Sequence, residues 1–248
     1  MSKARSSFLG SLPALPRWFT RRDERDATYT PGETTARSNG ISVSLEDRWF
    51  IGGTTGTGKT TFAKQLVKEL LRSYTVPLYV LDSKALGDFK EWHHGLVTDE
   101  QPPAAITSGV QIWQPGVDDQ NAYDWWFTNI LRSHGPSILL IDEISSLKKN
   151  ANSDAPPGFQ RLLKQGRAAG KLVINCTQEM AGQPRQIITQ TTHTVGFRMG
   201  GDYDQRVLNK LIGRDGSAPT PRATHGFFYR RMDRQMSPIE YTSYKDFF

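Results

Sequence analysis

The sequence predicts an α/β fold: a mostly parallel central sheet with helices on both faces. Three observations carry this reading. From about Ile41 onward, short apolar runs alternate with stretches of helical period, the pattern of strands joined by right-handed helical crossovers. Runs such as "ILLID" and "LVINC" are continuously apolar rather than alternating, which suits strands buried on both faces. The glycine-rich stretch Gly52–Thr60, "GGTTGTGKT", lies between one such run and a helix, where parallel α/β sheets build ligand sites.

Taken in order, residues 1–40 are rich in Ser, Thr, Arg, Pro and Gly and carry seven Lys/Arg against four Asp/Glu. They read as a flexible basic N-terminal arm. Within it, Leu15-Pro16-Arg17-Trp18-Phe19 is either a strap on the chain's own core or an anchor for a neighbour. Residues 41–248 read as one α/β domain ending in a basic segment. Its expected strands are Trp49–Ile51, Leu78–Leu81, Val110–Trp113, Ser137–Ile141, Lys171–Cys176 and Thr194–Arg198. Helices are expected over 59–73, 120–133, 156–169, 183–190 and 202–212. A polar, proline-rich loop, 150–158, follows the strand Ser137–Ile141.

Composition narrows the class. The chain has 248 residues, 37% hydrophobic and 23% charged, as in soluble globular proteins. One cysteine, Cys176, allows no intrachain disulfide and reads as a buried core thiol. No apolar run approaches the roughly 20 residues of a membrane helix. A basic N-terminus interrupted by Pro13 and Pro16 does not read as a signal peptide, so a cytoplasmic location is expected. The net charge of +6 suits either a polyanionic partner or an ordinary basic surface.

Gly53-x-x-x-x-Gly58-Lys59-Thr60 completes the P-loop spacing in its required strand-to-helix context. Glycines let the backbone turn tightly and approach phosphate without a Cβ in the way. Successive amides then form an anion cradle, reinforced by the helix dipole. Residues Gly53, Thr54, Thr55, Gly56, Thr57, Gly58, Lys59, Thr60 and Thr61 are therefore expected to hold ATP. Lys59 would reach the β- and γ-phosphates, and the Thr60 hydroxyl would ligate Mg²⁺. The apolar run ending in Asp142-Glu143 is the Walker B pattern. Asp142 suits Mg²⁺, and Glu143 suits a base for the attacking water. Gln178, at the tip of "LVINCTQ", either senses the γ-phosphate or is a plain loop residue. Asp82 and Lys84, after "LYVL", either line the site or form a local ion pair. The absence of "NKxD" at the "NCTQ" tip argues against a small GTPase.

Together, "GTTGTGKT", "VLDSK", "ILLIDEI" and "QGRAAGKLVINCTQ" resemble, in order and spacing, the FtsK–HerA superfamily of DNA-pumping ATPases. The resemblance spans about residues 41–215, through "FRMGGDYDQRVLNKLIG". It implies a RecA-like P-loop NTPase fold, a hexameric homo-oligomeric ring, ATP sites at subunit interfaces and an arginine acting in trans. Arg167 of "GRAAG" is the first position for that finger, or else a residue favouring a helix C-terminus; Arg198 is the second. The chain departs from the family in having about 50 residues before the P-loop and "TQEMAGQPR" after the glutamine strand. The format looks most like small viral genome-packaging ATPases. That implies double-stranded DNA and a capsid or vertex protein as partners, in the host cytoplasm or the virion. A plasmid or conjugative transfer ATPase, an assembly ATPase acting without DNA, and a monomeric switch are the competing readings. Arg206, Lys210, Arg214, Arg222, Arg230, Arg231 and Arg234 accompany the "HGFFY" aromatics. These form either a phosphate-tracking surface or an edge strand with packed rings.

Overall fold

The structure is a computed structural model and describes residues 36–38, 41–84, 88–92, 96–98, 101–116, 119–150, 153–180, 182–233 and 236–248. The Leu15–Phe19 cluster and Arg234 lie outside the described residues. The strands are β1 (Ala36–Ser38), β2 (Ile41–Val43), β3 (Arg48–Gly52), β4 (Leu78–Leu81), β5 (Leu96–Thr98), β6 (Val110–Trp113), β7 (Ser137–Ile141), β8 (Lys171–Thr177), β9 (His193–Gly196), β10 (Phe227–Arg231) and β11 (Ile239–Tyr241). The helices are α1 (Lys59–Ser73), α2 (Gln120–Arg132), α3 (Pro157–Gln165), α4 (Arg185–Gln190) and α5 (Asp202–Leu211).

Among the described residues, β1 and β2 form a separate antiparallel pair, and the other nine strands form one sheet ordered β11-β10-β9-β3-β8-β7-β4-β6-β5. From β9 to β5 every pairing is parallel. Only the β9–β10 and β10–β11 pairings are antiparallel, so β10 alone runs against the rest of this sheet. The continuous apolar runs are explained by two cores, one on each face. Along β3, Trp49 and Ile51 join one core and Phe50 the other. Along β7, Ile138 and Leu140 face the first core, and Leu139 and Ile141 the second. The first core is covered by α1 through Phe62, Leu66 and Leu70. The second is covered by α2, α3, α4 and α5, through residues such as Trp126, Phe159, Ile187 and Leu208. Alternate side chains of each strand therefore serve opposite layers, and no polar face is left.

Where elements differ from expectation the cause is local. Helix α3 stops at Gln165 rather than 169, because Gly166 caps it by donating its N–H to the Leu162 carbonyl. Pro184 caps α4, which begins at Arg185, because a proline disfavours helical backbone at the residue before it, here Gln183. β9 begins at His193, where its register pairs His193 with Trp49 and Gly196 with Gly52. The rings of "HGFFY" are packed, with Phe227, Phe228 and Tyr229 buried. β10 is nevertheless not the edge, because β11 lies outside it. Cys176 is buried, and burial pushes its thiol pKa up.

Candidate nucleotide site

β8 lies between β3 and β7. The residues after β3, β8 and β7 therefore meet at one sheet edge, with those after β4 beside them. These are the P-loop, Gln178, the pair Asp142-Glu143, and Lys84.

The P-loop is fastened before it can bind anything. The Gly53 N–H donates to the Thr177 carbonyl at 3.1 Å, and the Thr54 N–H to the Arg198 carbonyl at 3.0 Å. The Thr57 hydroxyl donates to the Thr54 carbonyl at 2.7 Å. Gly58 has φ +100°, in the region glycine enters without penalty, and turns the chain directly into α1. The first turn of α1 has no side-chain cap and no acidic residue, so its orphan amides and positive dipole end are available to an anion. Gly53 answers a different demand. A Cβ there would stand 2.7 Å from Phe197 Cβ and 2.8 Å from Thr57 Oγ1.

A cavity of about 460 Å³ opens over this loop, within the usual size of small-molecule sites. Thr54, Thr55, Gly56, Gly58, Lys59, Thr60 and Thr61 line it, with Lys84, Asp88, Gln178, Phe197, His225, Ser243 and Tyr244. Gly53 and Thr57 do not line it; they hold the loop from behind. Lys59 is only 4% exposed and has no acidic partner within 4 Å among the described residues. An ammonium buried without a counter-ion is costly, and the cost is relieved by an anion in the cavity.

The acidic pair sits deeper. Asp142 and Glu143 are 1% and 7% exposed, and neither is on the cavity wall. The Thr60 hydroxyl donates to Asp142 Oδ1 at 3.3 Å, while Asp142 Oδ2 is buried without a hydrogen-bond donor. Glu143 Oε1 accepts from the Ser145 hydroxyl at 2.8 Å, and Oε2 from the Gln178 N–H at 3.2 Å. Lys84 Nζ lies 3.5 Å from both Asp142 Oδ2 and Glu143 Oε2. Lys84, which lines the cavity where the acids do not, thus offsets part of their charge. Asp82 instead accepts from the Gln114 amide at 2.8 Å, so the sequence pair Asp82/Lys84 divides its work. The Gln178 Oε1 accepts from the Thr55 hydroxyl at 2.8 Å, tying the β8 tip across the P-loop. A hydroxyl and a carboxylate 3.3 Å apart, with the second carboxylate oxygen facing an ammonium rather than a hydrogen-bond donor in place, are an oxygen donor set that fits a hard divalent cation.

The two arginine positions lie at opposite ends of the sheet. Arg198 is exposed and follows β9 beside the P-loop. Arg167 is exposed in the turn before β8 begins. Seven residues of β8 separate that turn from the phosphate edge, about 20 Å at strand rise. Arg167 therefore cannot reach the nucleotide site of its own chain. No sequence motif marks Phe197, His225, Ser243 or Tyr244, because they reach the cavity only through the pairing of β9, β10 and β11; Asp88, also unmarked, comes from the connection after β4.

The model of the family described as "ATPase family associated with various cellular activities (AAA)" matches residues 50–195. No curated protein matches the chain in sequence. Among solved structures, the genome packaging NTPase B204 from Sulfolobus turreted icosahedral virus 2, in complex with ATP-gammaS, is similar with TM-score 0.62 at 14% identity. That likeness covers 81% of this chain and 99% of that one. The pCW3 conjugation coupling protein TcpA, with ATPgS, is similar with TM-score 0.58 at 14% identity over 92% of this chain and 70% of that one. EssC (ATPases 2 and 3) from Geobacillus thermodenitrificans gives TM-score 0.55 at 11% identity over 79% and 39%. At these identities the likenesses show the fold, and they agree with the FtsK–HerA resemblance in the motifs.

Proposed function

The chain belongs to the ATPase family associated with various cellular activities, as a P-loop ATP hydrolase, and from that premise we propose that it drives double-stranded DNA through a ring of its own copies, as a viral genome-packaging motor subunit. The observation that carries the site is Lys59: buried, without a counter-ion among the described residues, and set in a glycine loop whose helix-end amides suit an anion. The amides and Lys59 hold the triphosphate, and Thr60 and Thr61 extend the cradle along α1. Thr60 and Asp142 would hold Mg²⁺, which supplies charge neutralisation for the transferred phosphoryl group.

Glu143 is the base that takes the proton of the attacking water. Its hydrogen bonds to Ser145 and Gln178 fix its orientation. Lys84 must leave Glu143 for the water to be polarised, so breaking this ion pair is part of activating the base. Gln178, linked to both Thr55 and Glu143, reports whether a γ-phosphate is present. A neighbour's Arg167 stabilises charge developing on that phosphate. The basic chain supplies a sequence-independent grip on the DNA backbone.

Support for packaging over conjugative transfer is the near-complete coverage of the small packaging NTPase, 99% of its length, against 70% of the coupling protein. The decisive assay is ATP hydrolysis with and without double-stranded DNA. Stimulation is expected, independent of DNA sequence and falling steeply with salt. ATPase activity indifferent to DNA at all salt concentrations would overturn the reading in favour of an assembly ATPase.

A further inference from the structure

The cavity has a second wall that the motifs do not account for. Beside the P-loop it is made by Phe197, His225, Ser243 and Tyr244, three rings and a hydroxyl, where phosphate chemistry would call for cations and amides. Topology explains how residues so late in the chain arrive there. β10 runs antiparallel to β9, so its beginning lies level with the end of β9. β11 runs antiparallel to β10, with Tyr241 opposite Phe227. The residues before β10 and after β11 are thereby both delivered to the phosphate edge. His225 reaches so close that a Cβ on Gly58 would be 3.6 Å from its Nδ1.

The segment after β11 is held firmly. Ser243 caps a short helical turn, with its N–H and hydroxyl on Asp246 Oδ2 at 2.9 and 3.1 Å. Phe247 is buried, with its ring 5.1 Å from Phe62 and 5.0 Å from Tyr229. Phe248 packs beside it, 4.9 Å from Phe247 and 5.1 Å from Phe62. Phe62 lies in the first turn of α1, two residues after Thr60. Tyr244 is therefore referenced to the same helix that begins at the phosphate cradle.

Resting on the nucleotide reading above, we infer that this C-terminal wall is the subsite for the nucleoside part of the ligand. The Tyr244 ring stacks on the base, His225 flanks it, and the Ser243 region faces the ribose. The wall's chemistry fits this: rings stack on the π-face of any base, and its polar atoms suit sugar hydroxyls. ATP would thus be gripped by two parts of the chain far apart in sequence, and the tail becomes part of the binding site.

The test compares ATP with inorganic tripolyphosphate, each measured by direct titration of the full chain. Tyr244→Ala is expected to weaken ATP roughly 5- to 100-fold, the range of a lost base–aromatic stack, while leaving tripolyphosphate unchanged. Tyr244→Phe, which keeps the ring, should bind ATP like wild type. Equal weakening of both ligands by Tyr244→Ala would overturn the inference, because the tail would then be acting through Phe62 on the cradle. Unchanged ATP affinity in Tyr244→Ala would overturn it too. Failure of the underlying site looks different: ATP affinity would be indifferent to Lys59→Ala, and tripolyphosphate would not bind wild type.

Discussion

Replacing Gly53 and Gly56 in parallel tests whether the P-loop is built by close packing or by backbone freedom. At Gly53 the limit is space. An added Cβ would sit 2.7 Å from Phe197 Cβ, where carbon atoms normally rest about 3.5–4.0 Å apart, so a shift of about 1 Å is required. Phe197 cannot yield easily. It is buried against Phe62 and Phe227, and its N–H donates to the Gly52 carbonyl at 2.8 Å. Overpacking of this kind costs about 1–3 kcal/mol, or roughly 3–10 °C in melting temperature for a chain of this size. At Gly56 nothing lies within 4 Å, but φ is +80°, where a non-glycine residue costs about 1–2 kcal/mol and asparagine less.

The two positions should therefore rank substitutions oppositely. Gly53→Ala should be milder than Gly53→Asn, and Gly56→Asn milder than Gly56→Ala. Thermal melting and ATP titration read both. If asparagine is the better replacement at Gly53, or both positions rank alike, the steric account of this loop is wrong.

Phe62→Ala removes a ring that touches Trp49, Phe197, Phe227, Phe247 and Phe248. Denaturant unfolding should show a loss of about 3–5 kcal/mol. Burial alone would raise the Asp47 carboxyl pKa, but His193, with Nε2 3.1 Å away, and the Ser44 N–H hold it below its ordinary value. Its stabilising contribution is thus complete above about pH 3.9 and fades as pH falls through the folded-state value. The stability gap between wild type and Asp47→Asn should close on acidification, and a gap that widens would reverse the sign. Subunits carrying Arg167→Ala and subunits carrying Glu143→Gln should each bind ATP without turning it over. Mixed, they should regain ATPase activity at interfaces where intact Glu143 meets intact Arg167. Silence at every mixing ratio, despite co-assembly, would remove Arg167 as the trans residue and leave Arg198, which stands beside the P-loop.

Much of the fold was legible because its strands are two-sided. Leu78–Leu81, Val110–Trp113 and Ser137–Ile141 are strands with the expected bounds, since full burial leaves an unbroken apolar run. The helix over 59–73 was likewise legible, from a P-loop at its start and apolar residues at helical spacing. β1, β2, β5 and β11 were not legible: each is three residues long, too short for any period to show. In the site, the phosphate half could be read because GxxxxGKT fixes backbone geometry through local sequence. The C-terminal wall could not, because His225 and Tyr244 gain meaning only from strand pairing across the sheet. Lys84 was half legible. Its place after a strand put it near the cavity, but its grip on both Asp142 and Glu143 depends on β4 lying next to β7.

The register of the central strands has a mechanical side. Gly52 is level with Thr177, and Asn175 with Ile141, which is level in turn with Leu81. A pull on the residues beyond these tips, directed along the strands, loads the parallel ladders in shear. β8 is paired through five residues to β3 and through five to β7, and those bonds must slip together rather than open one by one. Each is worth only about 1 kcal/mol net, yet none can be peeled singly while its neighbours hold. Under load the sheet behaves as a stiff plate, and displacement is left to the parts attached to its rim: Lys84, the turn at Gln178, and the tail that carries Tyr244.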